Sequence, residues 1–326
     1  MEKKRLTISK GRHTVVIPYF TFGRSKGTGD IFITAGIHGD EVNGIHGVNR
    51  IMQWFNRSEI TKKLNGKVLV FPVLNPHGFQ SGTRTVPEDT KDLNRQFGLR
   101  KGSLSTLMAT TLTEVLSQCA MGIDLHDAGY GAQFIPHARI HLSDEDDCVS
   151  CSRSLAQVFG TEFILEREGQ RNMMAVYLND KHNTPVITVE TGGSQIIHHD
   201  AAQIILRGVK NVLVGNRFLD GEMEMPTKQY VVRHRDIVQT KHAGIIRFEV
   251  GLGSTVTKGD LVASIYDPVG STTLPITAPK DGVIFSIWPT NLIRVGQTMF
   301  SVVCMDKRES EDVIEMENYV VKPFDL

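Results

Sequence analysis

Residues Asp30–Arg57 read "DIFITAGIHGDEVNGIHGVNRIMQWFNR". The first six, "DIFITA", are almost continuously apolar, as expected of a strand covered on both faces. The last sixteen, "VNGIHGVNRIMQWFNR", read as a helix. The turn between them carries His38 and Glu41, with Gly36 and Gly39 letting the backbone turn sharply and leaving room for a ligand. Strand, polar turn and helix form the repeating unit of an α/β sheet. In such a sheet ligands bind outside the carboxyl ends of the strands, where His38 and Glu41 lie.

The same alternation continues on either side. "TVVIPYF", "KVLVFPVL", "MGIDLH", "EFIL" and "PVITVE" read as strands. Leu104, Met108, Leu112 and Leu116 recur at helical spacing, as do Ile205, Val209 and Val212. An α/β domain with a mostly parallel sheet flanked by helices is therefore expected over residues 1–225. After "DGEMEMPTKQY" only short β-type runs broken by Gly and Pro turns remain, so residues 226–305 are expected to form a smaller all-β domain. Residues 306–326 form a mixed polar tail.

Composition narrows the function. The chain of 326 residues balances 36 Lys and Arg against 36 Asp and Glu. Without a basic excess, a nucleic-acid partner is not expected. No apolar run reaches the ~20 residues of a membrane helix, and no signal peptide is evident at the N-terminus. Four cysteines do not make a disulfide scaffold, and a reduced, cytoplasmic setting is expected. Assembly into a homo-oligomer is compatible with the sequence.

Three strand ends carry chemistry: His38 and Glu41, then His126 closing "MGIDLH", then Glu190 closing "PVITVE". Two histidines and one carboxylate are a ligand set of catalytic zinc, with a fourth position left for water. Glu190 is then the surplus carboxylate, placed to act as a base toward that water. The intervening "LNPHGFQSGTRTVPEDTKDLNRQFG" brings Arg84 and Arg95 into a loop-rich stretch, which suits recognition of an anion by guanidinium.

The order "GIHGDE", "NPHG", "TR", "DLNR", "DLH", "TVETGG" resembles the succinylglutamate desuccinylase/aspartoacylase family of zinc carboxypeptidase-like hydrolases, over about residues 30–220. The resemblance implies one Zn2+ per chain held by His38, Glu41 and His126, and hydrolysis of a small N-acyl amino acid. It further implies Glu190 as general acid/base, Arg84 polarising the scissile carbonyl, and Asn94 with Arg95 gripping a substrate carboxylate. Arg171 stands for an arginine sometimes found upstream of the catalytic glutamate. The loop after His126, "DAGYGAQ", differs from that of aspartoacylase itself. The C-terminal region, with its "G-x-x-V-x-K-G-x-x-L" rhythm, resembles a biotinyl/lipoyl carrier fold. Its turn "DPVGSTTLP" lacks the carrier lysine, so a cap or an assembly role is expected instead.

Two other functions share these residues: a metallocarboxypeptidase acting on short peptides, and a non-catalytic binding or assembly protein on the same scaffold. Other motifs read as structure. "GRSKG" matches a serine nucleophile elbow but leads into another strand, as a polar hairpin would. Cys148 and Cys151 share a helical face with Leu155 and Phe159, behind a capping "SDED". His198 and His199 read as exposed and Asp200 as a helix cap. His46 faces away from the site, and Asp40 either orients His38 or stays solvated.

Overall fold

In the computed structural model, which describes residues 1–25, 29–100, 102–142, 146–193, 196–305 and 313–315, three parallel strands form the centre. They are β3 (Asp30–Ala35), β5 (Met121–His126) and β8 (Val186–Gly193), adjacent in that order. Beyond β3 lie β4 (Lys67–Phe71), parallel to it, then antiparallel β2 (His13–Gly23) and β1 (Glu2–Lys10). Beyond β8 lies β6 (Gln133–Leu142), antiparallel to it. The far half of β6 pairs in parallel with β7 (Phe163–Glu168), which pairs in parallel with β9 (Lys228–Val232).

The near half of β6 pairs instead with β15 (Gly282–Ile287), and the sheet runs on through β17 (Thr298–Val303) and β10 (Asp236–Gln239). With β12 (Thr255–Val256) on β15 and β18 (Val313–Glu315) on β9, it holds 14 strands. A second sheet of four strands has the order β14 (Thr272–Thr277), β13 (Leu261–Asp267), β11 (Gly244–Phe248), β16 (Leu292–Ile293). Val262, Ile265, Ile284, Phe300 and Val302 fill the space between these β-layers.

Helices cover both faces of the central strands, which is why those strands are apolar at nearly every position. On one face α1 (Val42–Phe55), α5 (Asp146–Phe159) and α7 (Ala201–Gly215) bury Val48, Ile51, Phe55, Phe159, Ile205 and Val209. Each of the larger side chains contributes about 1.5–3 kcal/mol by leaving water. On the other face α4 (Leu104–Leu116) and α6 (Met174–His182) bury Met108, Leu112, Leu116, Met174 and Leu178. Ser103 caps α4 by accepting from the Thr106 amide at 3.3 Å. Short helices α2 (Ser58–Lys63) and α3 (Pro76–Ser81) complete the set.

The expected α/β class holds, but the sheet is mixed rather than mostly parallel. Only a short loop separates β5 from β6, with no crossover helix, so β6 must return antiparallel. The edge strand β1 escapes sequence reading because it is charged and exposed except at Leu6 and Ile8. Strand β9, which follows the change in composition, pairs with the large sheet rather than with the smaller one. "GRSKG" begins at the end of β2 and does not form a hairpin between paired strands, since β4 intervenes between β2 and β3; its residues 26 and 27 lie outside the described residues. Most of "SDED" and of the tail also lie outside them. Cys148 is buried and Cys151 half-buried on α5. Among the described residues no helix is long and apolar enough to cross a membrane.

Candidate metal centre and active site

The adjacency of β3, β5 and β8 brings their carboxyl ends together. His126 and Glu190 are direct register partners across β5 and β8. The chain leaves β3 through Gly36, whose φ of +63° suits glycine. It then passes so close to α3 that a Cβ on Gly39 would lie 2.0 Å from the Gly78 carbonyl carbon. Gly39 therefore makes room for the "NPHG" turn, not for a ligand. Glu41 follows as the residue preceding α1.

His38, Glu41 and His126 are buried, and each offers a donor atom within 4.8 Å of the others. The Glu41 carboxylate bridges the two rings, with Oε1 2.6 Å from His38 Nδ1 and Oε2 2.8 Å from His126 Nδ1. Behind them, His38 Nε2 meets Asp92 Oδ1 at 3.1 Å and His126 Nε2 meets Asp124 Oδ2 at 2.8 Å. Asp124 Oδ1 accepts from the Thr34 hydroxyl at 2.7 Å. A carboxylate behind each imidazole is the support that metal-bound histidines use to fix ring orientation and raise basicity.

Electrostatics fit a cation here. Burial alone would lower His38, but Glu41 and Asp92 outweigh it and hold the imidazole above its usual value. Burial likewise opposes protonation of His126, yet Asp124 and Glu41 hold it well above. Glu41 resists burial because both imidazoles keep it well below the carboxylate range. Positive charge is thus favoured at this point, and a divalent ion would deliver it while displacing protons from the ring nitrogens. The mixed N/O donor set suits zinc among the common divalent ions.

These residues border a cavity of about 240 Å³. Glu190 lines it, with Oε1 2.8 Å from Arg139 Nη1 and a buried Oε2 that has no hydrogen-bond partner among the described residues. Arg84, at the rim, reaches Glu41 at 3.2 Å and Asp92 at 3.1 Å. Asn94 and Arg95 also line the cavity. Asn94 Oδ1 accepts the Met174 amide at 2.7 Å, tying the loop to the start of α6, and Arg95 Nη1 donates to the Asn94 carbonyl at 2.8 Å. Asp127 receives the amides of Asn43 and Gly129, while burial and then Glu41 push it up to about 6.

Arg171 is exposed and does not line the cavity; Arg167, at the end of β7, does. Asp40 is buried, makes no hydrogen bond to His38, and leaves Oδ1 without a partner among the described residues, so it neither orients that ring nor stays solvated. His198 is half-buried, its Nε2 3.1 Å from the Gly193 carbonyl, and Asp200 precedes α7 without a side-chain capping bond. His46 is partly buried on α1 and does not line the cavity.

Sequence reading missed Asp92, Asp124, Arg139, Arg167 and Arg235. Two had a signal. Asp124 stands two residues before His126 on one strand, hence on the same face, and Asp92 opens the "DLNR" stretch. The three arginines lie on β6, on β7 and before β10, with no local pattern to mark them.

Adjacent strand ends that present a buried His–Glu–His donor set beside an arginine-lined cavity define the chain as an α/β protein with a candidate metal centre at the carboxyl edge of its sheet. It belongs to the succinylglutamate desuccinylase/aspartoacylase family, whose catalytic-domain model matches residues 28–215. The chain is similar to the N-alpha-acetyl-L-2,4-diaminobutyric acid deacetylase of Halomonas elongata, 28% identical over 294 residues, covering 87% of this chain and 84% of the relative. Among solved structures it resembles a succinylglutamate desuccinylase from Silicibacter sp. TM1040, with TM-score 0.81, 23% identity and coverage of 93% and 94% of the two chains. It also resembles the product-bound ectoine utilization protein EutE from Ruegeria pomeroyi, with TM-score 0.81, 22% identity and coverage of 93% and 95%. At these identities the two structures speak for the fold.

Proposed function

We propose that this protein is a zinc-dependent deacylase that hydrolyses the amide bond of a small N-acyl amino acid. The observation that carries this is the pairing of the buried His38–Glu41–His126 centre with Glu190, its register neighbour, on one cavity. Membership of a desuccinylase/aspartoacylase family and similarity to the Halomonas deacetylase support it. His38, Glu41 and His126 would hold the ion, leaving Asp92 and Asp124 to fix the imidazoles. When bound, zinc supplies a Lewis acid and a water acidified toward pH 7.

The chain's own groups do the rest. Glu190 takes the proton of the attacking water on its unpartnered Oε2 and returns it to the departing amine, while Arg139 holds Oε1. Arg84, already against Glu41, sets positive charge beside the developing oxyanion. Arg95 and the Asn94 amide orient the carboxylate of the amino acid, so that binding energy becomes positioning. The cavity of about 240 Å³ suits a small molecule better than a protein chain. The C-terminal β unit acts as its cap, since β15 pairs with β6 and the Trp288 ring meets Phe134 at 6.2 Å. Its carrier-like β13–β14 turn presents Pro268, Val269, Gly270 and Ser271 and no lysine, which argues against a swinging arm. A cytoplasmic setting accords with the cysteine usage.

The test is a panel of N-acyl amino acids beside short peptides, with zinc-loaded protein. Release of an acyl acid supports the deacylase. Release of only a C-terminal residue makes it a carboxypeptidase, and no hydrolysis by a zinc-loaded protein favours a binding scaffold.

A further inference from the structure

Arg139 grips Glu190, so whatever fixes Arg139 also fixes Glu190. Its Nη1 meets Glu190 Oε1 at 2.8 Å, and its Nε is buried with no hydrogen-bond partner among the described residues. The remaining nitrogen, Nη2, donates to His137 Nε2 at 3.4 Å. A guanidinium tied at one nitrogen swings about the bonds of its stem. Tied at two, its plane is set, and with it the carboxylate that it holds.

The backbone of β6 is shaped for this tie. His137 and Arg139 share one face of the strand, and His137 is the direct register partner of Glu190 on β8. Just before it the pairing slips: the three-residue step from Phe134 to His137 spans the two-residue step from Gly192 to Glu190. Such a bulge re-aims the side chain that follows, and it accommodates Pro136, which has no N–H to give the ladder. His137 Nδ1 lies 2.8 Å from the Ile135 carbonyl, which can only accept, so Nδ1 carries the proton. Burial, then the charge of Arg139, hold this imidazole well below its usual value. The ring is therefore neutral, and Nε2 keeps the lone pair that Arg139 needs. The fully buried ring stands 4.9 Å from the Phe285 ring of β15 and 6.0 Å from that of Phe134. A carboxylate in this place would draw Arg139 away from Glu190. A neutral imidazole fixes the guanidinium and leaves its charge facing Glu190.

We infer that His137 is a positioning residue for proton transfer: it locks Arg139, Arg139 locks Glu190 Oε1, and the unpartnered Oε2 is thereby aimed at the reacting water. This rests on the deacylase function proposed above. His137 does not line the cavity and acts only through Arg139. Because Phe285 belongs to β15, the C-terminal β unit helps to hold the general acid/base as well as covering the cavity.

The test has two arms, both on zinc-loaded full-length protein. Histidine NMR of isotope-labelled protein reads the tautomer, with the His137 signals assigned by their absence in His137→Gln. At pH 7 His137 is neutral with its proton on Nδ1, and Arg139→Met shifts its Nε2 resonance. A proton on Nε2, or an Nε2 resonance indifferent to Arg139→Met, overturns the tie. In the second arm, acyl release gives kcat and KM. His137→Leu lowers kcat by about tenfold or more, because a displaced base loses its alignment. Its KM stays within about twofold and its zinc content is unchanged, since substrate binding and the metal are not touched. His137→Gln offers Arg139 an amide oxygen and recovers most of the loss. In an Arg139→Met background, His137→Leu has no further effect on kcat, whereas a merely structural role would lower it in both backgrounds. Unchanged kcat in His137→Leu, no recovery in His137→Gln, or losses that multiply in the double variant overturn the positioning role, with circular dichroism checking the fold. A wild type that releases no acyl acid while its NMR behaves as expected removes the deacylase function and leaves the His137–Arg139 tie standing.

Discussion

Asp124 offers a quantitative handle on the metal centre. It is 1% exposed, holds His126 Nε2 at 2.8 Å and accepts from Thr34 at 2.7 Å. In Asp124→Asn the amide oxygen can still accept from the ring while its nitrogen donates to the Thr34 hydroxyl, so only the charge is lost. In Asp124→Ala the ring N–H also loses its partner, and a small void opens. Supporting carboxylates of this kind are worth about 10–100-fold in metal affinity, or ~1.4–2.7 kcal/mol. Asn is expected near the lower figure and Ala near the upper. A competition titration of zinc against a chromophoric chelator measures the loss, with circular dichroism checking the fold. Asp124→Ala binding zinc as tightly as wild type would refute the supporting role.

Other expectations are as direct. Glu190→Gln should retain zinc while losing about 10²–10⁴-fold in kcat, and unchanged turnover would remove Glu190 from proton transfer. Gly39→Ala forces a methyl against the Gly78 backbone and should cost about 1–3 kcal/mol in urea unfolding; a neutral result would show that the "NPHG" turn yields freely. His141 is fully buried, and desolvation, then Arg139, pulls it down to about 3. Its proton is therefore taken up by the unfolded chain first, and the stability it gives above pH ~6.5 is lost as pH falls toward 3. At pH 5 that amounts to about 2 kcal/mol, and His141→Asn should flatten the stability difference between pH 7 and pH 5. A difference as steep as wild type would assign the acid lability elsewhere.

What could be read in the sequence was what repeats or stands next to something telling. The apolar runs of β3, β5 and β8 announce buried parallel strands, and the polar residues closing them announce a site. Strand β6 was hidden because His137, Arg139 and His141 occupy alternate positions that would ordinarily face water. Arg139 lines the cavity instead, His137 is buried against the Phe285 ring and His141 is buried with its Nε2 3.2 Å from the Thr188 hydroxyl, while Ala138 and Ile140 enter the core. Its arginine therefore looked like surface. Arg171 and Arg167 illustrate the same limit: four residues apart, one on a strand end and one past it, they differ by which side of the sheet edge the backbone reaches. Asp92 and Asp124 were legible in principle, by strand parity and by proximity to "NR", since a metal-bound imidazole needs something to hold its other nitrogen.

The most direct test is the metal content of wild type and His126→Ala, measured by elemental analysis on protein purified without chelators, alongside acyl release. Wild type should hold one zinc per chain and hydrolyse an N-acyl amino acid, and His126→Ala should lose both while staying folded. A wild type devoid of zinc, or a His126→Ala variant that keeps metal and activity, would contradict the assignment of His38, Glu41 and His126 as the centre.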